Sequence, residues 1–233
     1  MAIIYKTTVI PSKLELLAAW LPAQPWYLDR GRAPELAKAG GFRLDDPEGE
    51  VGIEFMVVTD GSGDDAAAYL APMTYRASAL PGADGALIGT AEHGVLGRRW
   101  IYDGTRDPVF VSQLVALMHG AAEPQAQSIG DTPDPTVTVI PVVGGYATAV
   151  ESEITGNGPS GTDLRIETAD ADGGRRGQLN VRLNRVLQVL QAEGVAPNGA
   201  AEQPGVSATW RLPGGARVRG TFATARYTQT AVQ

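Results

Sequence analysis

The sequence predicts an α+β protein, in which two helices flank an antiparallel sheet and a mainly β second half follows. Two segments have helical periodicity and capping residues, and many short segments are rich in β-branched and aromatic side chains. The connections between those short segments are too short for parallel crossovers, which favours antiparallel pairing. With 233 residues, the chain is long enough to bury a sizeable core.

The first predicted helix follows a short strand at residues 3–10. Ser12 and Glu15 have the spacing of a capping box, in which each side chain accepts a backbone N–H of the first turn. Apolar residues then recur at helical spacing on one face: Leu14, Leu17, Ala18 and Leu21. Pro22 ends the helix, and the Pro-, Gly- and charge-rich segment 23–50 is predicted to be a loop.

Four strands are predicted next. Apolar side chains alternate from 51 to 57, before a turn at 60–63, and 66–76 can pair back as a hairpin. Residues 87–96 and 100–102 are two further strands.

The second predicted helix begins at Asp107-Pro108, with Asp as the cap and Pro in the first turn. Its apolar face consists of Phe110, Val111, Leu114, Leu117 and Met118. Gly120 is well placed to end it.

Residues 121–135 have little apolar content and are interpreted as a linker. They divide the chain into a first α+β domain, 1–125, and an antiparallel β region, 136–233. Six strands are predicted in the second region: 136–143, 146–154, 163–168, 178–186, 206–212 and 216–227. The Pro213-Gly214-Gly215 turn joins the last two.

Composition narrows the class of protein. The net charge of −7 disfavours nucleic-acid binding, which needs a basic surface. The longest apolar runs, such as 55–58, are too short to span a bilayer, so no membrane partner is expected. The chain has no cysteine, and its first residues lack the pattern of a signal peptide. A cytoplasmic location is therefore expected.

A series of motifs resembles the N-terminal cap of bacterial maltokinases. It consists of the run 24–32 (Gln-Pro-Trp-Tyr-Leu-Asp-Arg-Gly-Arg), Thr59-Asp60-Gly61, Leu87-Ile88-Gly89, Tyr102-Asp103-Gly104 and Asp107-Pro108. Order and spacing agree over about half the chain. The chain also resembles short stand-alone actinobacterial proteins that look like this cap, some of which are labelled as 1,4-α-glucan branching proteins.

The resemblance implies a curved sheet with flanking helices, in a protein linked to trehalose, maltose and α-glucan (glycogen) metabolism. Maltokinases continue into a two-lobed kinase with a His-x-Asp catalytic loop. This sequence has only His93 and His119, and neither has an Asp two residues later. We therefore predict no catalytic residue, no metal site and no cofactor.

A glycine-rich segment is the candidate for a nucleotide loop. Gly156, Gly158 and Gly161 fit G-x-G-x-x-G, but the segment that follows alternates like a strand, whereas a dinucleotide site needs a helix there. The next predicted strand resembles the lysine-bearing strand of the maltokinase N-lobe, with Arg182 in the place of the lysine. The second half is thus either a degenerate N-lobe remnant or a hairpin with a glycine-rich loop and no ligand.

Two groups of side chains are candidates for binding. Trp26, Tyr27, Arg30 and Arg32 lie in a Pro-bounded loop, where they can contact a glycan or a partner enzyme, although anchoring in the core is the alternative. Arg217 and Arg219 share one face of the last predicted hairpin, which is either a solvated face or a docking face for an acidic protein.

Three hypotheses of function remain open at this level. The first is a non-catalytic cap-like binding or scaffold protein, associated with an α-glucan or trehalose-pathway enzyme or a glycan. The second is a minimal phosphotransferase built on the glycine-rich loop and Arg182. The third is a purely structural or oligomeric protein. Asp103 and Asp107 are predicted to be structural, as a turn residue and a helix cap, and not an acid–base pair.

Overall fold

The computed structural model describes residues 9–127, 132–159, 161–192 and 203–228. Within these ranges, fourteen strands form one open antiparallel sheet, and two short α-helices pack against it. The predicted antiparallel sheet with two helices is therefore confirmed. Ser160 and residues 3–8 of the first predicted strand lie outside the described residues.

The first half contains seven strands and both helices. In chain order they are β1 (Val9–Ile10), α1 (Lys13–Trp20), β2 (Leu36–Leu44), β3 (Gly52–Asp60), β4 (Ala67–Arg76), β5 (Leu87–His93), β6 (Gly97–Asp103), α2 (Pro108–Met118) and β7 (Gln125–Ala126). Among the described residues, neither helix is long and apolar enough to cross a membrane.

In the second half, the regular elements of the described residues are strands. They are β8 (Thr138–Ile140), β9 (Thr148–Gly158), β10 (Gly161–Ala169), β11 (Arg176–Leu183), β12 (Gln191–Ala192), β13 (Gly205–Arg211) and β14 (Arg217–Thr228). The main path of the sheet runs β1-β5-β6-β4-β3-β2-β13-β14-β11-β10-β9. The described sheet therefore continues across the predicted domain boundary, and the division into two domains stays a prediction.

Both helices begin as their capping residues predict. At α1, Ser12 and Glu15 form the capping box, with each side chain bonded to the other residue's backbone N–H. At α2, the carboxylate of Asp107 accepts a hydrogen bond from the N–H of Val109 at 2.9 Å. These caps satisfy N–H groups that have no partner within the helix, so the start of each helix is encoded locally.

The central strand β3 is buried on both faces. Phe55 and Val57 belong to a core that contains α2, and the rings of Phe55 and Phe110 lie 5.0 Å apart. Met56 and Val58 point the other way, into a second core that contains α1. Since successive side chains of a strand alternate between faces, one helix on each side leaves no solvated face.

The prediction of a loop over 23–50 is wrong, because β2 lies within it. Its sequence, Leu-Ala-Lys-Ala-Gly-Gly-Phe-Arg-Leu, has few β-branched residues and two glycines, so local propensity hides the strand. Pairing with β3 along its length, and with β13 at Gly40, holds it in the sheet. Gly41 has φ +120°, and a Cβ there would lie 1.9 Å from the carbonyl oxygen of Phe55.

Candidate functional site

A polar cavity of ≈ 80 Å³ lies where the two halves of the chain meet. Trp20, the last residue of α1, and Gln24, four residues later, form one wall, and the turn after β6 forms another. The hairpin of β9 and β10 contributes Asn157 and Thr162 to the lining. The remaining polar lining comes from Asp103, Thr105, Arg106 and Arg185.

Arg185 is the central side chain of this cavity, and it is only 1% exposed. Its Nη2 donates to both carboxylate oxygens of Asp103, at 2.6 and 2.9 Å, and its Nε donates to the hydroxyl of Thr162 at 2.8 Å. The remaining nitrogen, Nη1, is buried without a hydrogen-bond partner among the described residues. A buried donor of this kind is rare and costly in folded proteins.

The backbone around Arg185 explains how the side chain reaches the cavity. After β11, the chain crosses to β4, where the N–H of Leu70 donates to the carbonyl of Arg185 at 2.9 Å. Val186 then forms a bridge with Tyr69. This pairing fixes the guanidinium next to Asp103, which is 82 residues earlier in the chain.

The two aspartates predicted to be structural are both bound by arginine and by nearby backbone. Asp103 accepts from the N–H and hydroxyl of Thr105, at 3.0 and 2.8 Å, which confirms its role in a turn. Asp107 caps α2 and accepts two hydrogen bonds from Arg76, each of 2.7 Å. Burial alone would raise the pKa of Asp107, but the hydrogen bonds from Arg76 hold it below its ordinary value.

A third buried carboxylate, Glu54, was not singled out from the sequence. It is 3% exposed and accepts from Lys13 and from the hydroxyl of Tyr75, each at 2.5 Å, and from Gln127 at 2.9 Å. Burial alone would raise its pKa, yet the ammonium of Lys13 and these hydrogen bonds lower it. The contact with Lys13 ties α1 to the centre of the sheet.

Trp26 lies in the core that contains α1 and is only 1% exposed. Its ring contacts Trp20 edge-on at 5.7 Å and Tyr69 at 6.0 Å, and the guanidinium of Arg185 lies 5.2 Å from its centroid. The structure therefore shows the core-anchoring arrangement that the sequence left open. A ring covered in this way offers no exposed face to a sugar.

Asp60 binds several residues of the Trp26 loop, which we define as residues 24–35. This fully buried carboxylate accepts from the hydroxyl of Tyr27 at 2.8 Å and from the N–H of Glu35 at 2.8 Å, and Nη1 of Arg32 lies 3.1 Å from its Oδ1. Tyr27 also stacks on Tyr69 at 5.5 Å. Two motifs that are distant in sequence, 24–32 and 59–61, thus form one structural unit.

The tip of the Trp26 loop faces solvent. Leu28 is 46% exposed, and Asp29 and Arg30 are exposed as well. Arg30 donates to the backbone carbonyl of Asp65, which holds the tip against the turn after β3. The loop thus combines a buried anchor with an exposed tip.

The contact with Asp60 should be visible in the titration of Tyr27. Burial, together with the hydrogen bond to Asp60, raises the pKa of Tyr27 to about 12. We expect the tyrosinate absorbance difference between the wild type and Tyr27→Phe to have its midpoint near this pH. Because the folded pKa is raised, this contribution to stability is complete below the ordinary pKa and is lost as pH rises through the folded one. A difference curve centred at the ordinary tyrosine pKa would contradict the contact.

The family model of the maltokinase N-terminal cap domain matches residues 20–107. This segment resembles that cap. The resemblance predicted from the motif series is therefore confirmed, whereas no curated protein matches the chain. The match includes the Trp26 loop, Asp60 and Asp103, while Arg185 lies beyond it. The cavity is accordingly formed by the cap segment together with residues outside it.

The glycine-rich segment, outside the cap segment, forms a hairpin between two strands. Gly156 faces Asp163 in the register of β9 and β10, and Nη1 of Arg182 donates to both oxygens of Asp163, at 2.7 and 2.8 Å. The structure thus brings Gly156 and Arg182 close together, but with a carboxylate between them that would repel a phosphate. Gly158 is the last residue of β9 and pairs with Gly161, which has φ +128° and is packed against the carbonyl of Leu183. The resemblance of residues 136–233 to a kinase N-lobe stays a prediction.

Arg219 and Arg217 lie on the last hairpin as predicted, with the apolar Val218 and Phe222 buried on its other face. Arg219 is half-buried and donates to the carbonyls of Thr136 and Ser207, at 3.1 and 3.3 Å. Arg217 is exposed. Docking of an acidic protein on this face stays a prediction.

The described residues hold no group of three or more His, Asp or Glu side chains placed to bind a metal ion. His119 bonds through Nδ1 to the carbonyl of Val115, at 2.9 Å, at the end of α2. Of the side chains around the cavity, Arg185 was missed by sequence reasoning. The available signal was an arginine set directly before the apolar pair Val186-Leu187.

Proposed function

We propose that this protein is a non-catalytic binding or scaffold protein of maltose and α-glucan metabolism, including its trehalose branch. The observation that carries the proposal is the match of residues 20–107 to the maltokinase N-terminal cap domain. The protein would contact an α-glucan or an enzyme of this metabolism in the cytoplasm.

The Trp26 loop is the contact surface that we favour. Trp26 and Tyr27 are anchored in the protein, so the tip is held in one conformation and loses little entropy on binding. Its exposed members, Leu28, Asp29 and Arg30, offer an apolar side chain between opposite charges. Such a mixed surface suits a partner protein or the hydroxyl-rich face of a glycan.

A binding role also agrees with how the buried carboxylates are used. Glu54 and Asp107 each accept hydrogen bonds from a cationic side chain, which stabilises the carboxylate form. General acid–base catalysis needs two groups whose pKa values are moved apart, with one of them free to take or give a proton. Within the 233 residues, the His-x-Asp motif of the kinase catalytic loop does not occur.

Retention on an amylose matrix and co-migration with the kinase body of a maltokinase test the proposal. We expect the wild-type protein to give at least one of these signals, and Leu28→Asp to lose it, because a carboxylate replaces the exposed apolar side chain of the loop tip. The matched control is Val143→Asp, which makes the same change at a residue that is 92% exposed and distant in sequence from the loop.

The control variant should behave as the wild type does. If the wild type shows neither retention nor co-migration, the proposed binding function is wrong. If Leu28→Asp keeps the signal, or if both variants lose it equally, the Trp26 loop is not the contact surface.

A further inference from the structure

We infer that the cavity around Arg185 is a binding site for a small oxyanion, the phosphoryl or carboxylate group of a metabolite. This inference does not depend on the glycan or enzyme contact proposed above, because it concerns a different surface. It rests on the charge, the unpaired donor and the size of the cavity.

The charges that line the cavity favour an anion. Two guanidinium groups, those of Arg106 and Arg185, line it together with one carboxylate, that of Asp103. Asp103 is bound by Arg185, whereas Arg106 has no carboxylate within ion-pair distance in the part of the chain that the structure describes. The lining therefore carries one net positive charge, and guanidinium groups suit the planar or tetrahedral oxygens of carboxylates and phosphates.

A buried donor without a partner gives the second reason. Nε and Nη2 of Arg185 donate to Thr162 and Asp103, but Nη1 has no hydrogen-bond partner among the described residues. Leaving such a group unpaired costs free energy, which a hydrogen bond to a ligand oxygen or to an ordered water would recover. Because the guanidinium is planar, its hydrogen bonds to Asp103 and Thr162 also fix the direction in which Nη1 can donate.

The size and lining of the cavity narrow the ligand class. A volume of ≈ 80 Å³ exceeds what one water molecule needs and suits a compact oxyanion. Asn157, on the β9–β10 hairpin, is exposed and adds an amide donor at the rim. Trp20 also lines the cavity.

Calorimetric titration with inorganic phosphate tests the site, with potassium chloride at equal ionic strength as the background. We expect phosphate to bind the wild type, and to bind Arg106→Gln and Asn157→Asp about tenfold more weakly. Arg106→Gln removes a cationic donor, and Asn157→Asp introduces a carboxylate that repels the anion. The matched control is Arg211→Gln, which removes the same charge from an exposed arginine that does not line the cavity.

Parallel titrations with acetate and with a hexose phosphate identify which anionic group the site prefers. Tighter binding of phosphate than of acetate indicates a phosphoryl group, and the reverse indicates a carboxylate; both outcomes support the site. No binding of any of these anions overturns the inference, as does equal weakening by Arg211→Gln. Retention on amylose should be unchanged in Arg106→Gln, so a failure here is distinct from a failure of the proposed function.

Discussion

Replacing Asp103 with alanine is expected to lower the free energy of unfolding by about 3–5 kcal/mol, because it leaves a buried guanidinium without its counter-ion. Arg185 is 1% exposed, and its Nη2 depends on both oxygens of Asp103, at 2.6 and 2.9 Å. The pair also joins the cap segment to the second half of the chain. Urea denaturation of the purified variant gives the measurement.

An exposed ion pair provides the control for this prediction. Arg176 and Glu167 lie 3.3 Å apart with side chains 62% and 51% exposed, so Glu167→Ala should change stability by less than about 1 kcal/mol. The double variant Asp103→Ala/Arg185→Met should be more stable than Asp103→Ala alone, since it removes the unpaired charge. If Asp103→Ala unfolds at the wild-type urea midpoint, the buried pair does not hold the two halves together.

The second large effect is expected from Trp26→Ala. Removing this ring leaves a cavity among Trp20, Tyr69 and Arg185, and we expect a loss of about 3–5 kcal/mol in the free energy of unfolding. The structure assigns the ring to the core, so the variant should lose stability whether or not a glycan is present. Thermal and urea unfolding, each with and without maltose, would measure it.

Leu28→Ala is the comparison for this change. Leu28 is in the same loop but is 46% exposed, so its truncation should alter stability by about 0.5 kcal/mol or less. Equal stability of Trp26→Ala and Leu28→Ala would mean that Trp26 is not an anchor in solution. That result would instead favour an exposed position for Trp26, in which it could bind a ligand.

Local sequence signals were sufficient to predict most helices and strands. The capping box at Ser12 and Glu15 and the cap at Asp107 act within one helical turn, and both helices begin where these residues predict. The Pro213-Gly214-Gly215 turn is another case: Gly215 has φ +86°, and the N–H of Leu212 donates to the carbonyl of Ala216 at 2.9 Å. Interactions over a few residues can be recognised from the sequence.

Elements that depend on distant partners were harder to predict. Strand β2 has two glycines and few β-branched residues, and it is a strand because β3 and β13 lie on either side of it. The alternation at 51–57 predicted one buried face, but the neighbouring helices bury both faces of β3. In each case the decisive contact comes from a residue far away in the chain.

The sequence by itself determined the helix starts, most of the strands, the family resemblance of residues 20–107 and the absence of a His-x-Asp motif within the chain. Only the tertiary structure decided that Trp26 is a core residue and that Arg185 reaches Asp103 to form a polar cavity. The physical reason is the sequence separation of the interacting residues. Capping and turn formation are encoded within a few residues, whereas burial and ion pairing across 82 residues arise only when the sheet is assembled.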